Sequence, residues 1–534
     1  MNQASREPTN LSTSRPDDLD VSRREFCKVG LLVAGAALAS DALVPASAAA
    51  RSNTQLAYLS AVDQLRMFRT RELSPVDILT LQMERIQTLN PTINCITYEH
   101  FDEAMQAAKD SERRYAQGHP LPLDGLTVAV KDEHDRQGWV TDFGSLLFAH
   151  QEPASQNTAI IDKLLAAGAV LHIQTTVPEF YLSGVTWTRL WGITRNPWNR
   201  QYSPGGSSGG SAAALAAGFT TLATGSDMGG SIRIPASLCG LYGFKPPFGR
   251  VPTSEVAYET SGPLARDFQD LRLLQQIISG PDVKVHSSLR PKLDYPERYP
   301  DVRGWRVAVD YVTGIAELDA SVRDGMASAV AVLKQLGCTV ETVDVGFRFT
   351  HPDGRNDFDT FAKGLISSAT GALIVAAATQ RSLLTRYVDQ FVEKFLGDAG
   401  PIQALDADEL IKEYHRDVQT KVFLDGFQAL IMPTLTSPYL PADFQIDASK
   451  DAFLINGRPF TGLRYAATWP WNLMGRYPVV NVPIGRAANG VPVGLQIVAN
   501  TFDDLTAFQL ASAYSEVAPP FFAGTNFPDF RDSA

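Results

Sequence analysis

Cysteine is scarce in this chain, histidine is scattered, and no apolar run is long enough to cross a bilayer as a helix. The 534 residues include four cysteines. Cys27 lies in the N-terminal segment, and the spacing of Cys95, Cys239 and Cys338 fits neither a zinc ribbon nor a C-x-x-C redox pair, so these three read as small buried hydrophobes. The eight histidines, at 100, 119, 134, 150, 172, 286, 351 and 415, form no H-E-x-x-H or other paired spacing, so no metal is expected. No G-x-x-x-x-G-K-[ST] occurs either, which leaves a phosphate loop unsupported and points to no cofactor. Lys and Arg number 47 against 58 Asp and Glu, a formal net charge of -11. A surface of that sign repels phosphate backbones, so nucleic acid is not an expected partner.

What is present describes a globular protein: 44% of residues are hydrophobic and 20% charged. The N-terminus has another character. SRREFCK, Ser22 to Lys28, sets two arginines before an uncharged run of twelve, Val29 to Ser40. That run is well short of the roughly 20 residues that span a bilayer core, but it suits the h-region of a signal. Pro45-Ala46-Ser47-Ala48 supplies an A-x-A cleavage site, and the whole resembles a bacterial twin-arginine export signal. Residues 1–48 are therefore expected to be removed on export to the periplasm or medium. No stable membrane insertion is expected, and residues 49–534 are expected to fold as a single domain.

Along that domain helical and strand patterns alternate. Ser74-Pro75 opens a helix whose apolar positions Val76, Leu79, Met83, Ile86 and Leu89 recur at helical spacing until Asn90-Pro91. A helix over Phe101–Gln117, a strand over Leu126–Val130, a helix over Ile160–Ala167 and a strand over Val170–Thr175 follow. Further strands are expected at Arg306–Val312, Thr339–Val345, Ala429–Pro433, Val479–Ile484 and Val493–Val498. Residues 355–425 read as a helical cap, and the polar, proline-rich stretch from Gly280 to Gly304 as a surface connection between two lobes. The alternation predicts a layered α/β/α sandwich around a large, mostly parallel, mixed sheet.

SPGGSSGGSAAALAAG, Ser203 to Gly218, has the composition of a flexible linker. A linker separates domains, however, whereas Ser211 to Ala217 runs directly into a small-residue helix, so this loop is tied to an element. It also fits the G-x-S-x-G of a nucleophile elbow, but the preceding NRQYSP is a poor strand, and neither His351 nor His415 sits in an obvious strand-end loop. A second glycine-rich loop, TGSDMGGSIRIP from Thr224 to Pro235, follows a strand over Phe219–Ala223. Its Gly229-Gly230 lets backbone N–H groups converge beside Ser231, as an oxyanion hole requires. Lys131, at the end of the strand VAVKD, is a candidate base. Nucleophile, second hydroxyl and base are then available without a histidine.

GGSSGGSAAALAAG followed by GSDMGGSIRIPASLCGLYGFKP resembles the amidase signature family, with a close match from Leu123 to Gly249 and a weaker one through TRNPWN, IMPTLTSP and VVNVPIGRAANGVPVGLQIV. The resemblance implies cleavage of linear C–N amide bonds by a Ser-cisSer-Lys triad. Ser231 would be the nucleophile, Ser207 the serine after a cis bond from Gly206, and Lys131 the base. The N–H groups of Met228, Gly229, Gly230 and Ser231 would line the oxyanion hole, braced by Asp227 and Arg233. The partners would be a small-molecule amide and water. Tyr181, Trp469 and Trp471 are candidates for substrate contact, although core packing is the commoner use of a tryptophan. Gln174 stands where the family commonly has lysine. Two other functions remain open, a transamidating (amidotransferase) component and an inactive binding protein of the same fold; acidic balance and the export signal weigh against the first, the filled triad against the second.

The chemistry constrains Lys131 further. A protonated amine takes no proton, so the lysine must be neutral, which requires about 4 kcal/mol of differential solvation and burial away from carboxylates. Asp132 is the obvious threat, but neighbours on a strand point to opposite faces.

Overall fold

The computed structural model describes residues 52–312, 314–351, 354–366, 379–395, 401–461 and 464–530, and of these it omits the side chains of 366, 395, 401–403 and 461. The expected export signal lies outside the described residues. Eleven strands form one sheet: β1 (Ile96–Glu99), β2 (Thr127–Lys131), β3 (Val170–Thr175), β4 (Leu222–Asp227), β5 (Tyr242–Lys245), β6 (Thr260–Ala265), β7 (Arg306–Val309), β8 (Thr339–Thr342), β9 (Ala429–Pro433), β10 (Val479–Arg486) and β11 (Pro492–Val498). Their order across the sheet is β1-β3-β2-β4-β6-β5-β10-β11-β9-β7-β8. Pairing is parallel from β3 through β2 to β4 and again from β9 through β7 to β8. It is antiparallel through the middle and at β1.

The sheet is thus mixed, with its parallel pairs confined to two flanks. The expectation of mostly parallel pairing failed in the centre because β5 and β6 carry glycine and proline and do not read as strands. Those glycines are needed: a Cβ at Gly262 would lie 2.2 Å from the Phe244 carbonyl oxygen, and one at Gly243 2.8 Å from the Ala236 methyl.

Helices cover both faces. The small-residue helices α1 (Gly209–Ala216) and α2 (Arg233–Cys239) pack with Ala129, Ile173, Ala223 and Leu264 of the sheet. On the other face Val128, Val130, Leu222 and Phe244 meet Leu271, Leu274, Phe508 and Leu510 of two longer helices. Strand alternation therefore sends Lys131, like Ala129, toward the α1 face. Because β2 and β4 are adjacent and parallel, their C-terminal ends share one edge, where ligands collect in open α/β sheets.

Two local expectations changed. The helix opened by Ser74 runs past Pro91 to Ile93 and closes on Asn94 in the left-handed region; a proline this near the end removes one intrahelical bond without breaking the last turn. The stretch from Gly280 to Gly304 does not separate lobes: Tyr295 is buried and its hydroxyl donates to Asp504 Oδ1 at 2.7 Å, which pins the segment to the helix Asp504–Val517. Residues 52–534 are one compact unit. Among the described residues no helix is long and apolar enough to cross a membrane.

Candidate active site

The glycine-serine loop is a close-packing device. A Cβ at Gly209 would sit 2.2 Å from Thr186 Oγ1, one at Gly210 2.4 Å from the Thr176 nitrogen, and one at Gly206 2.6 Å from the Ser183 carbonyl oxygen. Backbone can therefore lie where any side chain would clash. Gly210 N–H donates to the Thr176 carbonyl at 3.1 Å and Ser211 Oγ meets Thr175 Oγ1 at 2.8 Å, tying the start of α1 to the end of β3. The Gly206–Ser207 peptide bond is cis. Ser208 N–H donates to the Ser231 carbonyl at 3.1 Å, which joins this loop to the second one.

Lys131 is buried, and its Nζ donates to Ser207 Oγ at 2.9 Å and to Ser226 Oγ at 2.7 Å. The Tyr181 ring faces the amine, with its centroid 4.8 Å from Nζ. The Tyr181 hydroxyl donates to the Asp132 carbonyl at 3.1 Å. One expectation is overturned here. Asp132 does turn away, with Oδ1 accepting from Gln174 Nε2 at 3.3 Å, but the amine is not clear of carboxylates: Glu133 Oε2 lies 2.7 Å from Nζ. The chain leaves the strand after Lys131 in a tight turn, with Glu133 N–H donating to the Lys131 carbonyl at 2.7 Å, so alternation no longer governs Glu133.

The second loop is built around Asp227 at the end of β4. Its Oδ1 accepts from Gly230 N–H at 2.8 Å and its Oδ2 from Ile232 N–H at 3.1 Å. Arg233 closes a bidentate pair through Nη2 to Oδ1 at 2.8 Å and Nε to Oδ2 at 2.9 Å. Asn472 Nδ2 adds a bond to Oδ1 at 2.9 Å. Burial alone would push this carboxyl up, and the guanidinium, assisted by the Asn472 amide, overrides it and holds it below the usual range. Arg233 also donates to the Thr468 carbonyl at 3.0 Å and to Gln496 Oε1 at 2.5 Å. The loop is therefore held by a buried carboxylate–guanidinium pair.

The four N–H groups expected around the oxyanion are not equivalent. Gly230 N–H is committed to Asp227, and a Cβ on Gly230, whose φ is +126°, would lie 2.1 Å from Thr468 Oγ1. Its role is to shape the loop. The N–H groups of Met228, Gly229 and Ser231 have no acceptor among the described residues. Met228, Gly229, Ser231 and Gly206 line one cavity of about 90 Å³. Most of the other walls are apolar, with Tyr181, Leu182, Ile234, Phe361, Leu365 and Trp469 among them, and among the described residues no lining side chain is charged. Trp471 is not part of it. It is fully buried in the core, its indole N–H on Met432 Sδ at 3.1 Å and its ring edge against Phe347, because the short helix Pro470–Leu473 turns consecutive side chains apart.

Sequence reasoning missed Ser226, Glu133 and Glu259. Glu133 was visible two residues after the lysine, but only the turn decides where it points. For Glu259 no local signal exists.

A family model described as "Amidase" matches residues 77–507. The chain belongs to the amidase signature family. An acylamidase of Rhodococcus erythropolis is 30% identical over 480 residues, covering 87% of this chain and 96% of that protein. A glutamyl-tRNA(Gln) amidotransferase subunit of a Synechococcus strain is 31% identical over 485 residues, covering 85% and 96%. Among solved structures, a bacterial aryl acylamidase superposes with a TM-score of 0.76 at 27% identity, covering 86% of this chain and 97% of that one. The amidase relatives support amide-bond chemistry for this chain, and the relatives also include amidotransferase components.

Proposed function

We propose that this amidase is an exported hydrolase that cleaves the C–N bond of a neutral amide through an acyl-enzyme on Ser231. The observation that carries the reading is the 2.9 Å contact from buried Lys131 Nζ to Ser207 Oγ beneath the cavity that Ser231 lines. Ser231 Oγ attacks the carbonyl carbon while its proton passes to Ser207 Oγ, whose own proton passes to the neutral Lys131 amine. The tetrahedral oxyanion lies against the N–H groups of Met228, Gly229 and Ser231, with Asp227 and Arg233 holding the loop. Lys131 returns the proton through Ser207 to the leaving nitrogen. Water, deprotonated by the same relay, then attacks the acyl carbon and frees Ser231.

Substrate class follows from the walls. A cavity with aromatic and aliphatic lining and, among the described residues, no charged side chain suits an aryl or alkyl acyl group or an aryl amine, with ester or carbamate cleavage as a side activity. A transamidating enzyme would have to hold a zwitterionic amide donor, and among the described residues no counter-charge lines this cavity. The twin arginines Arg23 and Arg24 ahead of Val29–Ser40 support export, which would put the mature enzyme in the periplasm or medium.

Treatment of the folded protein with a sulfonyl fluoride, followed by peptide mass spectrometry, tests the nucleophile. Covalent mass on the peptide containing Ser231 is expected. An unmodified Ser231 in folded protein would favour the inactive binding protein.

A further inference from the structure

Lys131 belongs to a cluster larger than its relay. Beside the Nζ–Glu133 contact of 2.7 Å, Ser226 bridges the two groups, accepting from Nζ at 2.7 Å and donating to Glu133 Oε2 at 2.5 Å. Behind Glu133 stands Glu259, next to β6, its carboxyl hydrogen-bonded to that of Glu133 and its Oε2 accepting from Ser254 Oγ at 2.8 Å. The remaining titratable groups around the amine are accounted for. His134 is buried, and burial pushes its imidazole down to about 4, so it is neutral. Tyr181 presents its ring. Asp132 points to the other side, where burial and then the Asp142 carboxylate push it well up.

Two carboxyl groups in contact do not both ionise. Burial and then the Glu133 charge push Glu259 well up, so it carries the shared proton. Burial alone would raise Glu133 as well, but the Lys131 ammonium overrides it and holds it at about 2. Glu133 is therefore the carboxylate of the pair and Glu259 the carboxylic acid. A carboxylate in contact favours the ammonium, whereas the proposed relay begins with a free amine.

We propose that Glu133, backed by Glu259, is a positioning residue that holds the Lys131 amine on Ser207 and fixes how alkaline the medium must be before that amine can act as a base. The proposal rests on the Ser-Ser-Lys relay. Activation is a plain deprotonation: an N–H bond of Lys131 breaks, the proton goes to water, and the freed electron pair accepts the Ser207 proton. While Glu133 stays ionised, the cluster then carries one net negative charge. Without that carboxylate the same deprotonation meets no opposing attraction and occurs at lower pH.

The rate of sulfonyl fluoride labelling of Ser231, followed from pH 5 to 10, reads this without knowledge of the substrate. In Glu133→Gln the acid limb of the profile is expected to move down by about one to two pH units, the span typical of a lost opposite charge. The glutamine carbonyl still accepts from Ser226, so the plateau rate should stay within about tenfold of wild type. Glu133→Asp keeps the charge and should leave the limb near its wild-type position; melting curves of both variants show that they fold. A limb that stays in place in Glu133→Gln while the rate falls would make Glu133 a packing residue and overturn the proposal, as would a limb that moves equally in Glu133→Asp. Wild-type protein that resists labelling at every pH would instead remove the relay itself.

Discussion

Two clusters of buried charge sit on the ends of the neighbouring parallel strands β2 and β4, and they are constructed in opposite ways. Asp227 and Arg233 form a pair, both with side chains fully buried, in which both carboxylate oxygens and all three guanidinium nitrogens have partners. No proton is shared, and the charges stay fixed. Lys131, Glu133 and Glu259 hold one cationic group against two acidic ones, with Glu133 partly open to solvent at 13% exposure. Its Glu133 carboxylate faces the Lys131 amine on one side and the protonated Glu259 on the other, and accepts from Ser226 between them. The same edge of one sheet thus carries a rigid brace for the loop that would receive the oxyanion and a titrating group beneath the hydroxyl that would be activated. A fixed dipole set needs complete satisfaction, whereas a base needs an unequal partner count.

Removing one member of each cluster is expected to have the largest effects. Lys131→Met keeps the length of the buried stem and removes the amine; turnover is expected to fall by about 10⁴-fold or more. Stability should change by less than about 1 kcal/mol, because Glu133 can take up a proton with Glu259 beside it, so no isolated charge stays buried. Arg233→Met should do the reverse in kind. It strands the Asp227 carboxylate with its remaining donors, and urea denaturation should report a loss of about 3–5 kcal/mol. A lysine variant that unfolds, or an arginine variant as stable as wild type, would show that the two clusters do not differ as described.

How much of this was legible in the sequence follows from the range over which each feature is determined. Flanking strands such as Val170–Thr175 and Ala429–Pro433 read correctly because both faces are buried and apolar residues crowd them. The central strands Tyr242–Lys245 and Thr260–Ala265 did not, because their glycines answer to neighbouring backbone and helix α2 rather than to strand propensity. Lys131 reaches Ser207 at the end of β2 and Asp227 pairs with Arg233 at the end of β4, because the motif's spacing is fixed by two parallel strands and their loops. The commitment of Gly230 N–H to Asp227 is a loop conformation that no residue type announces. Glu133 was readable as a neighbour of Lys131 but not as its partner, since the strand's alternation ends one residue too soon. Glu259 and the cavity aromatics come from distant segments, and only the tertiary fold brings them in.

The smallest effect concerns what neither charge cluster touches. The apolar wall of the cavity comes from the helices Asp357–Ile366 and Arg386–Phe395, outside the sheet edge that holds both clusters. Phe361 is nearly buried there, its ring 5.7 Å from that of Trp469. If binding and chemistry are divided between wall and edge, Phe361→Ala should lower kcat/KM for an amide with an aromatic acyl group by roughly tenfold, about 1.4 kcal/mol of lost apolar contact. The change should lie mainly in KM, and acetamide, too small to reach the wall, should be affected little. Its pH profile should coincide with that of wild type, because Phe361 presents no charge to the amine. A shift of that profile, or an equal loss on acetamide, would mean that the aromatic wall also positions the reacting groups and that the division between the two regions is false.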